Sequence, residues 1–150
     1  MAEYQFVLFS LNNELCGVDT LQVQEIVKCN TLEKSDSMPQ YADGLVNVRG
    51  EIIPVVDLNR KFELSDAESE KMSKVIISFV NKNFVGFAVN DVLGIVKLND
   101  TDINPAHEVI SKTKRSYLKG IGRSGDKLIS ILDLSKLLDD GEFVNKAAAD

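Results

Sequence analysis

Two different stretches of this chain occur twice, in the same order each time. Residues 7–28, VLFSLNNELCGVDTLQVQEIVK, lie over residues 75–97, VIISFVNKNFVGFAVNDVLGIVK; with one residue inserted, Phe9 pairs with Ile77, Gly17 with Gly86, Val23 with Val92 and Ile26 with Ile95. Residues 44–62, GLVNVRGEIIPVVDLNRKF, lie over residues 120–138, GIGRSGDKLISILDLSKLL, matching Gly44 with Gly120, Ile53 with Ile129, Val55 with Ile131 and Asp57 with Asp133. One ancestral module used twice is the frame into which every other feature has to fit. Each copy spans only roughly 65 to 75 residues, which is small for a self-sufficient core, so two small barrels sharing an apolar seam form the economical architecture. The expected organisation is a single domain over 1–150 with subdomains 5–68 and 69–140, exchange of terminal elements between them being allowed, and a fraying tail over 141–150. The seam is expected to supply a groove.

The apolar runs are the size of strands. YQFVLFSL, EIIPVV, KVIISFV, NFVGFAV, GIVKL and KLISIL are rich in Val, Ile and Phe and bounded by Asn, Asp or Gly, the punctuation of an all-β protein. Helical signals are short. Asp19 with Gln22 three residues on resembles a capping box opening TLQVQEIV; Asp57 caps LNRKF, with Leu58 and Phe62 four apart; Asp133 caps LSKLLDD, with Leu134, Leu137 and Leu138 on one face. Breaks are expected at LSDAESEKMSK, which is polar and free of glycine, and in the polar hairpin INPAHEVISKTKRSY.

The segment NVRGEIIPVVDL, residues 47–58, carries the densest information. Gly50 stands where a hairpin turn needs positive φ, and Gly125 lies one step earlier in the matching turn, which predicts slightly different loop lengths. Ile52, Pro54, Val56 and Leu58 share one face of the following strand while Ile53 and Val55 share the other, so both faces should meet something. Pro54 has no N–H to give a ladder, which predicts an edge strand or a bulge. Arg49 is left without a structural task; a solvated turn arginine is the plain reading.

Several kinds of chemistry are disfavoured by composition. A formal net charge of −6 and a pI of about 4.8 speak against holding nucleic-acid phosphates or a polybasic contact with lipid. No apolar run approaches the roughly 20 residues of a membrane span, and MAEYQFVLFS lacks a basic region and a cleavage site, so no membrane insertion and a cytoplasmic address are expected. Cys16 and Cys29 fall on separate segments outside any C-x-x-C pattern and are expected to be buried free thiols. His107 is the only histidine, beside Pro105, so multi-histidine metal sites and a Ser-His-Asp triad are disfavoured. Gly120, Gly122 and Gly125 fit G-x-G-x-x-G, but the strand-like KLISIL follows where a phosphate-binding helix is needed. In NDTDIN, Asp100, Asp102 and Asn104 alternate like a calcium loop, yet Pro105 replaces the required glycine and Ser111 the bidentate glutamate. SKTKRS is a local basic patch, expected to be a solvated loop. No catalytic residue, metal or cofactor is expected.

Taken together, LQVQEIV, GLVNVRG, NVRGEIIPVVDL, VGFAVNDVLGIV and GIGRSGDKLISILDL resemble the CheW family of bacterial chemotaxis coupling proteins, over about residues 5 to 140 and in family order. The resemblance implies a pair of SH3-like five-stranded barrels and a non-enzymatic adaptor joining chemoreceptor cytoplasmic tips to the regulatory domain of the histidine kinase CheA, recruited to receptor arrays at the inner face of the membrane. Carried over residue by residue, it implies receptor contacts at Val23, Glu25, Ile26, Gly44 (as the turn glycine ahead of the arginine), Arg49, Val92 and Ile95. Kinase contacts would fall on Ile53, Pro54 and Val55. Helix docking uses apolar anchors in a charged-rimmed groove, which casts Glu25 and Arg49 as the rim and Val23, Ile26, Val92 and Ile95 as the anchors; each anchor equally suits ordinary barrel core. The alternatives are a coupler for a pathway controlling twitching or gene expression and a small-ligand sensor using the inter-barrel groove.

Overall fold

The computed structural model describes residues 2–29, 31–61, 72–105 and 117–137. Phe62, Leu138, His107, Ser111, the SKTKRS patch, most of 64–74 and the tail lie outside them.

Two hairpins carry the first repeat. Strands β1 (Glu3–Leu11) and β2 (Glu14–Asp19) are joined by Asn12 and Asn13, with φ of 50° and 76°. Farther along, β6 (Lys74–Val80) and β7 (Asn83–Val89) are joined by Asn81 and Lys82, with φ of 48° and 68°. Two left-handed loop residues give the twist that antiparallel strands require. The loops being equal, Leu8 faces Gly17 in one hairpin as Ile77 faces Gly86 in the other. No residue is inserted, and Phe9 lies over Ser78 and not over Ile77 as the repeat alignment proposed. KVIISFV is apolar on both faces, so nothing in the run itself fixes its register to within one residue.

The strands that follow trade places. Strand β3 (Glu25–Lys28) leaves its own hairpin and pairs with β6, Ile26 opposite Ile76, while β8 (Asp91–Asn99) pairs with β1, Ile95 opposite Val7. The second repeat adds the hairpins β4 (Gly44–Val48) with β5 (Glu51–Asp57), and β10 (Leu118–Ser124) with β11 (Lys127–Leu132). β5 runs parallel to β7, Val55 beside Gly86, and β11 parallel to β2, Ile131 beside Gly17. With β9 (Ile103–Pro105), the result is a first sheet ordered β8-β1-β2-β11-β10-β9 and a second ordered β3-β6-β7-β5-β4. Each curls into an SH3-like barrel, and each contains strands from both copies.

Apolar character on both faces of the strands fills three cores. Phe6, Leu98, Ile129 and Ile131 occupy the first barrel, and Cys29, Ile53, Val55, Val75, Ile77 and Ala88 the second. Between them a larger seam cluster joins Val7, Phe9, Leu11 and Val18 of the first sheet to Val56, Ile76, Val85 and Phe87 of the second. Hence Ile53 and Val55 face one core while Val56 and Leu58 face another, as the alternation in EIIPVVDL demands. Cys16 and Cys29 are buried free thiols, and burial raises the pKa of both.

Polar side chains stitch the seam. Asn90, buried between the barrels, accepts through Oδ1 from the Asn12 amide at 2.6 Å and from Asn59 Nδ2 at 3.0 Å, while its own amide donates to the Ser10 carbonyl at 3.1 Å. Gln22 ties together the segments that follow β2 and β11, neighbours in the first sheet: Nε2 donates to Asp133 at 2.8 Å and Oε1 accepts from the Leu134 amide at 3.1 Å. That use of Gln22 corrects the expected capping box. Asp19 caps Leu21 at 2.9 Å, but only the 3-10 turn Thr20–Gln22 forms before β6 captures the following residues as β3. Asp57 and Asp133 do cap, accepting from Asn59 and Ser135 at 3.0 Å each, at the starts of helix α1 (Leu58–Lys61) and the 3-10 turn Leu134–Lys136.

Two further expectations change. Pro54 is buried in β5, an interior strand flanked by β4 and β7, not at an edge. Counting back from the hairpin's closing pair Val48–Glu51, the Leu45–Pro54 pair needs no donor from proline toward β4, and the ladder to β7 begins only at Val55. The matched turns Arg49–Gly50 and Gly125–Asp126 also have equal length. They differ in type: φ is positive at both residues of the first (51° and 86°) and at Gly125 alone (64°) in the second. Gly50→Val should therefore destabilise by about 1–3 kcal/mol through its φ of 86° alone, since a Cβ there meets nothing within 4 Å. Chemical denaturation checks this, and an unchanged midpoint would refute it.

Candidate functional site

The second sheet has β3 and β4 as its outermost strands, and one charge pair closes the gap between them. Arg49, in the β4–β5 turn, donates through Nη1 to Glu25 Oε2 at 2.5 Å and through Nη2 to Oε1 at 2.6 Å. This is the fork-to-fork geometry that arginine alone provides. The side chains are 75% and 30% exposed, so solvent screens the pair and its contribution to stability is small. The hydrogen bonds from Arg49 hold the Glu25 carboxyl below its ordinary range, and those to Glu25 hold the guanidinium above its own.

The pair rims a pocket of about 310 Å³ at the mouth of the second barrel, with Gln24, Val48, Glu51, Ile53, Ile77 and Phe84 as its other walls. Phe84 packs against Phe79 with the rings tilted by 58° and their centroids 4.9 Å apart, and Phe79 is 55% exposed. Here the repeat breaks down. The strand registers put Gly94 where Glu25 stands and Gly125 where Arg49 stands, so the ion pair has no counterpart in the first barrel.

Arg49 also departs from local turn preference. The first loop residue of the other three hairpins is Asn12, Asn81 or Gly125, residue types that accept a left-handed backbone; Arg49 adopts φ of 51° without that aptitude. Gly50 follows it, and its amide donates to Asn47 Oδ1 at 2.9 Å.

The remaining residues singled out in the sequence fall into three groups. Val23 and Ile26 accompany Glu25 on the β3 side, while Val92 and Ile95 belong to β8 on the first sheet; Val23 and Val92 pack on the seam cluster, and Ile26 and Ile95 are exposed. The centre of the seam is packed with core side chains, and these four residues flank it. Gly44 opens β4 and lies outside any turn; it is buried, and a Cβ there would sit 2.4 Å from Leu32 Cβ. Ile53, Pro54 and Val55 are all buried, the exposed apolar residue of that strand being Ile52. Sequence reasoning missed Asn47, Phe79 and Phe84; only the Asn-x-x-Gly spacing of residues 47 and 50 carried a signal for the first.

A second pocket, also of about 310 Å³, lies in the first barrel between Tyr4, Phe6, Asp19, Asp100, Ile103, Pro105, Lys119 and Ile131. Asp100, on its wall, raises the pKa of the Tyr4 hydroxyl. Among the described residues no group of three His, Cys, Asp or Glu side chains lies close enough to hold a metal ion, and no helix is long and apolar enough to cross a membrane. Gly120 and Gly122 lie within β10 and Gly125 in its turn.

Two interleaved SH3-like barrels with a fused seam and one asymmetric, charged mouth define a double-barrel module. The chain belongs to the CheW family: the family model described as a CheW-like domain matches residues 5–142. It is 32% identical over 139 residues to the chemotaxis protein CheW of Klebsiella aerogenes, covering 93% of this chain and 84% of that one. Identity to the Treponema pallidum chemotaxis protein CheW is 30% over 145 residues, covering 94% and 85%. The crystal structure of the scaffolding protein TtCheW from Thermoanaerobacter tengcongensis superposes with a TM-score of 0.79 at 30% identity, over 94% of this chain and 96% of that one.

Proposed function

We propose that this chain is a non-enzymatic coupler of chemotaxis, binding chemoreceptor cytoplasmic tips and the regulatory domain of the kinase CheA in the cytoplasm, at receptor arrays. Arg49 carries this reading. At the first loop position, where the other described two-residue turns have asparagine or glycine, an arginine takes the left-handed backbone, is exposed, and pairs with a carboxylate that the repeat does not supply. Local rules broken without a gain in stability are the mark of a surface held for a partner. Glu25 and Arg49 set register and partner choice there, while Val23 and Ile26 beside them, with Val92 and Ile95 on the other sheet, offer apolar area to a helical hairpin. Ile53, Pro54 and Val55 act in kinase binding by shaping the strand that presents Ile52, and Gly44 acts in receptor binding by letting β4 approach Leu32.

An amide NMR titration of the labelled protein with a receptor cytoplasmic-tip fragment tests the assignment. Shifts are expected at Val23 to Ile26, at Arg49 and at Val92 to Ile95. Absence of shifts there, with a CheA regulatory domain still binding, would remove the receptor half of the proposal; kinase output that follows receptor state equally well without this protein would remove the whole.

A further inference from the structure

We infer that Asn47 is a positioning residue, which holds the β4–β5 turn in the conformation that delivers Arg49 to Glu25 and to a partner; this rests on the coupler reading above. In a two-residue turn the closing pair Val48–Glu51 makes its own ladder bonds and leaves the Gly50 amide free. Asn47 Oδ1 takes that amide at 2.9 Å and so fastens the second loop residue to the strand before the turn. The need for a fastener comes from Arg49. Asparagine or glycine at the first loop position settles into the left-handed region unaided; arginine at φ of 51° has extended conformations open to it, from which its guanidinium would not meet Glu25 in fork geometry.

Two further observations separate this from ordinary packing. Asn47 is exposed, so its side chain is not part of the buried core, and its Oδ1 is spent on the turn. In the repeat, where Gly125 replaces Arg49, the position that corresponds to Asn47 is Arg123, which cannot accept a hydrogen bond. The fastener is present where an arginine is displayed and missing where one is not.

The test uses the full chain with Asn47→Ala, Asn47→Asp and Arg49→Asn, read by NMR and by titration with the receptor-tip fragment. For Asn47→Ala the melting temperature should hold, the Arg49 amide-to-Hα coupling should move toward its extended-chain value, Gly50 amide exchange should accelerate, and affinity for the fragment should fall about three- to tenfold. Asn47→Asp keeps an acceptor and should restore most of both readouts. An unchanged Arg49 coupling in Asn47→Ala overturns the inference, and so does a loosened turn with undiminished binding while Arg49→Asn fails to bind. If the unsubstituted chain itself does not bind the fragment, the coupler reading falls, and the positioning role is still decided by the Arg49 coupling and the Glu25 side-chain shift.

Discussion

Replacing Phe87 by alanine should lower the stability of this protein by about 3–5 kcal/mol, the usual cost of emptying a large aromatic site in a core that cannot collapse. Phe87 is fully buried in β7, on the face that looks into the seam, and its cluster draws side chains from both sheets. A cavity there withdraws contacts from the two barrels together. Denaturant unfolding should accordingly show one transition, displaced to lower denaturant and superimposable whether followed from the Tyr4 side of the first barrel or from Phe84 in the second. Two separated transitions would mean that the barrels unfold independently and that the seam is a contact between domains. Phe79→Ala provides the control: at 55% exposure it should shift the midpoint by less than about 1 kcal/mol.

Arg49→Asn should do the opposite, leaving the fold intact and removing function. Asparagine suits the left-handed φ of 51° better than arginine does, as Asn12 and Asn81 show at the same place in their own turns. The lost ion pair is screened by solvent, so the melting temperature is expected to stay within about 3 °C of the original. Affinity for a receptor-tip fragment should fall by about tenfold or more, the range of a desolvated arginine at the centre of an interface. Titration calorimetry beside a thermal melt reads both quantities on one sample. A large drop in melting temperature would show that Arg49 serves chiefly to hold the second barrel shut.

What the sequence disclosed followed from local physics. The strand runs, the turn at Gly50, and the caps at Asp57 and Asp133 depend on residues a few positions apart, and they are where the sequence indicated. Where pairing between distant segments decides the outcome, one-dimensional reasoning failed. Pro54 was expected at an edge or a bulge because nothing in EIIPVV tells which neighbour supplies its ladder, and the register of β5 against β4 and β7 leaves a proline harmless in the sheet interior. Gln22 was expected to turn back on Asp19, whereas its partner lies 111 residues away. Phe9 and Ser78 share a position in the fold although Phe9 looks more like Ile77 on paper. At the site, Arg49 and the V-x-E-I segment were both conspicuous, but their meeting depends on the sheet curling until β3 and β4 approach, and the one-sidedness of the pair shows only once Gly94 and Gly125 are laid over it.

The trade of β3 for β8 bears on the history of the chain. Had each copy kept its own strands, either one would have remained a spare, free to decay or to be lost once the other sufficed. As built, a fragment ending near the middle of the chain would hold β1 and β2 without the neighbours β8 and β11, and β3 without β6. Neither half holds a complete sheet, and each supplies the other's missing neighbours. With the strands exchanged, losing either copy would take edges from both sheets at once, while the two mouths differ, one carrying an arginine and its carboxylate and the other two glycines.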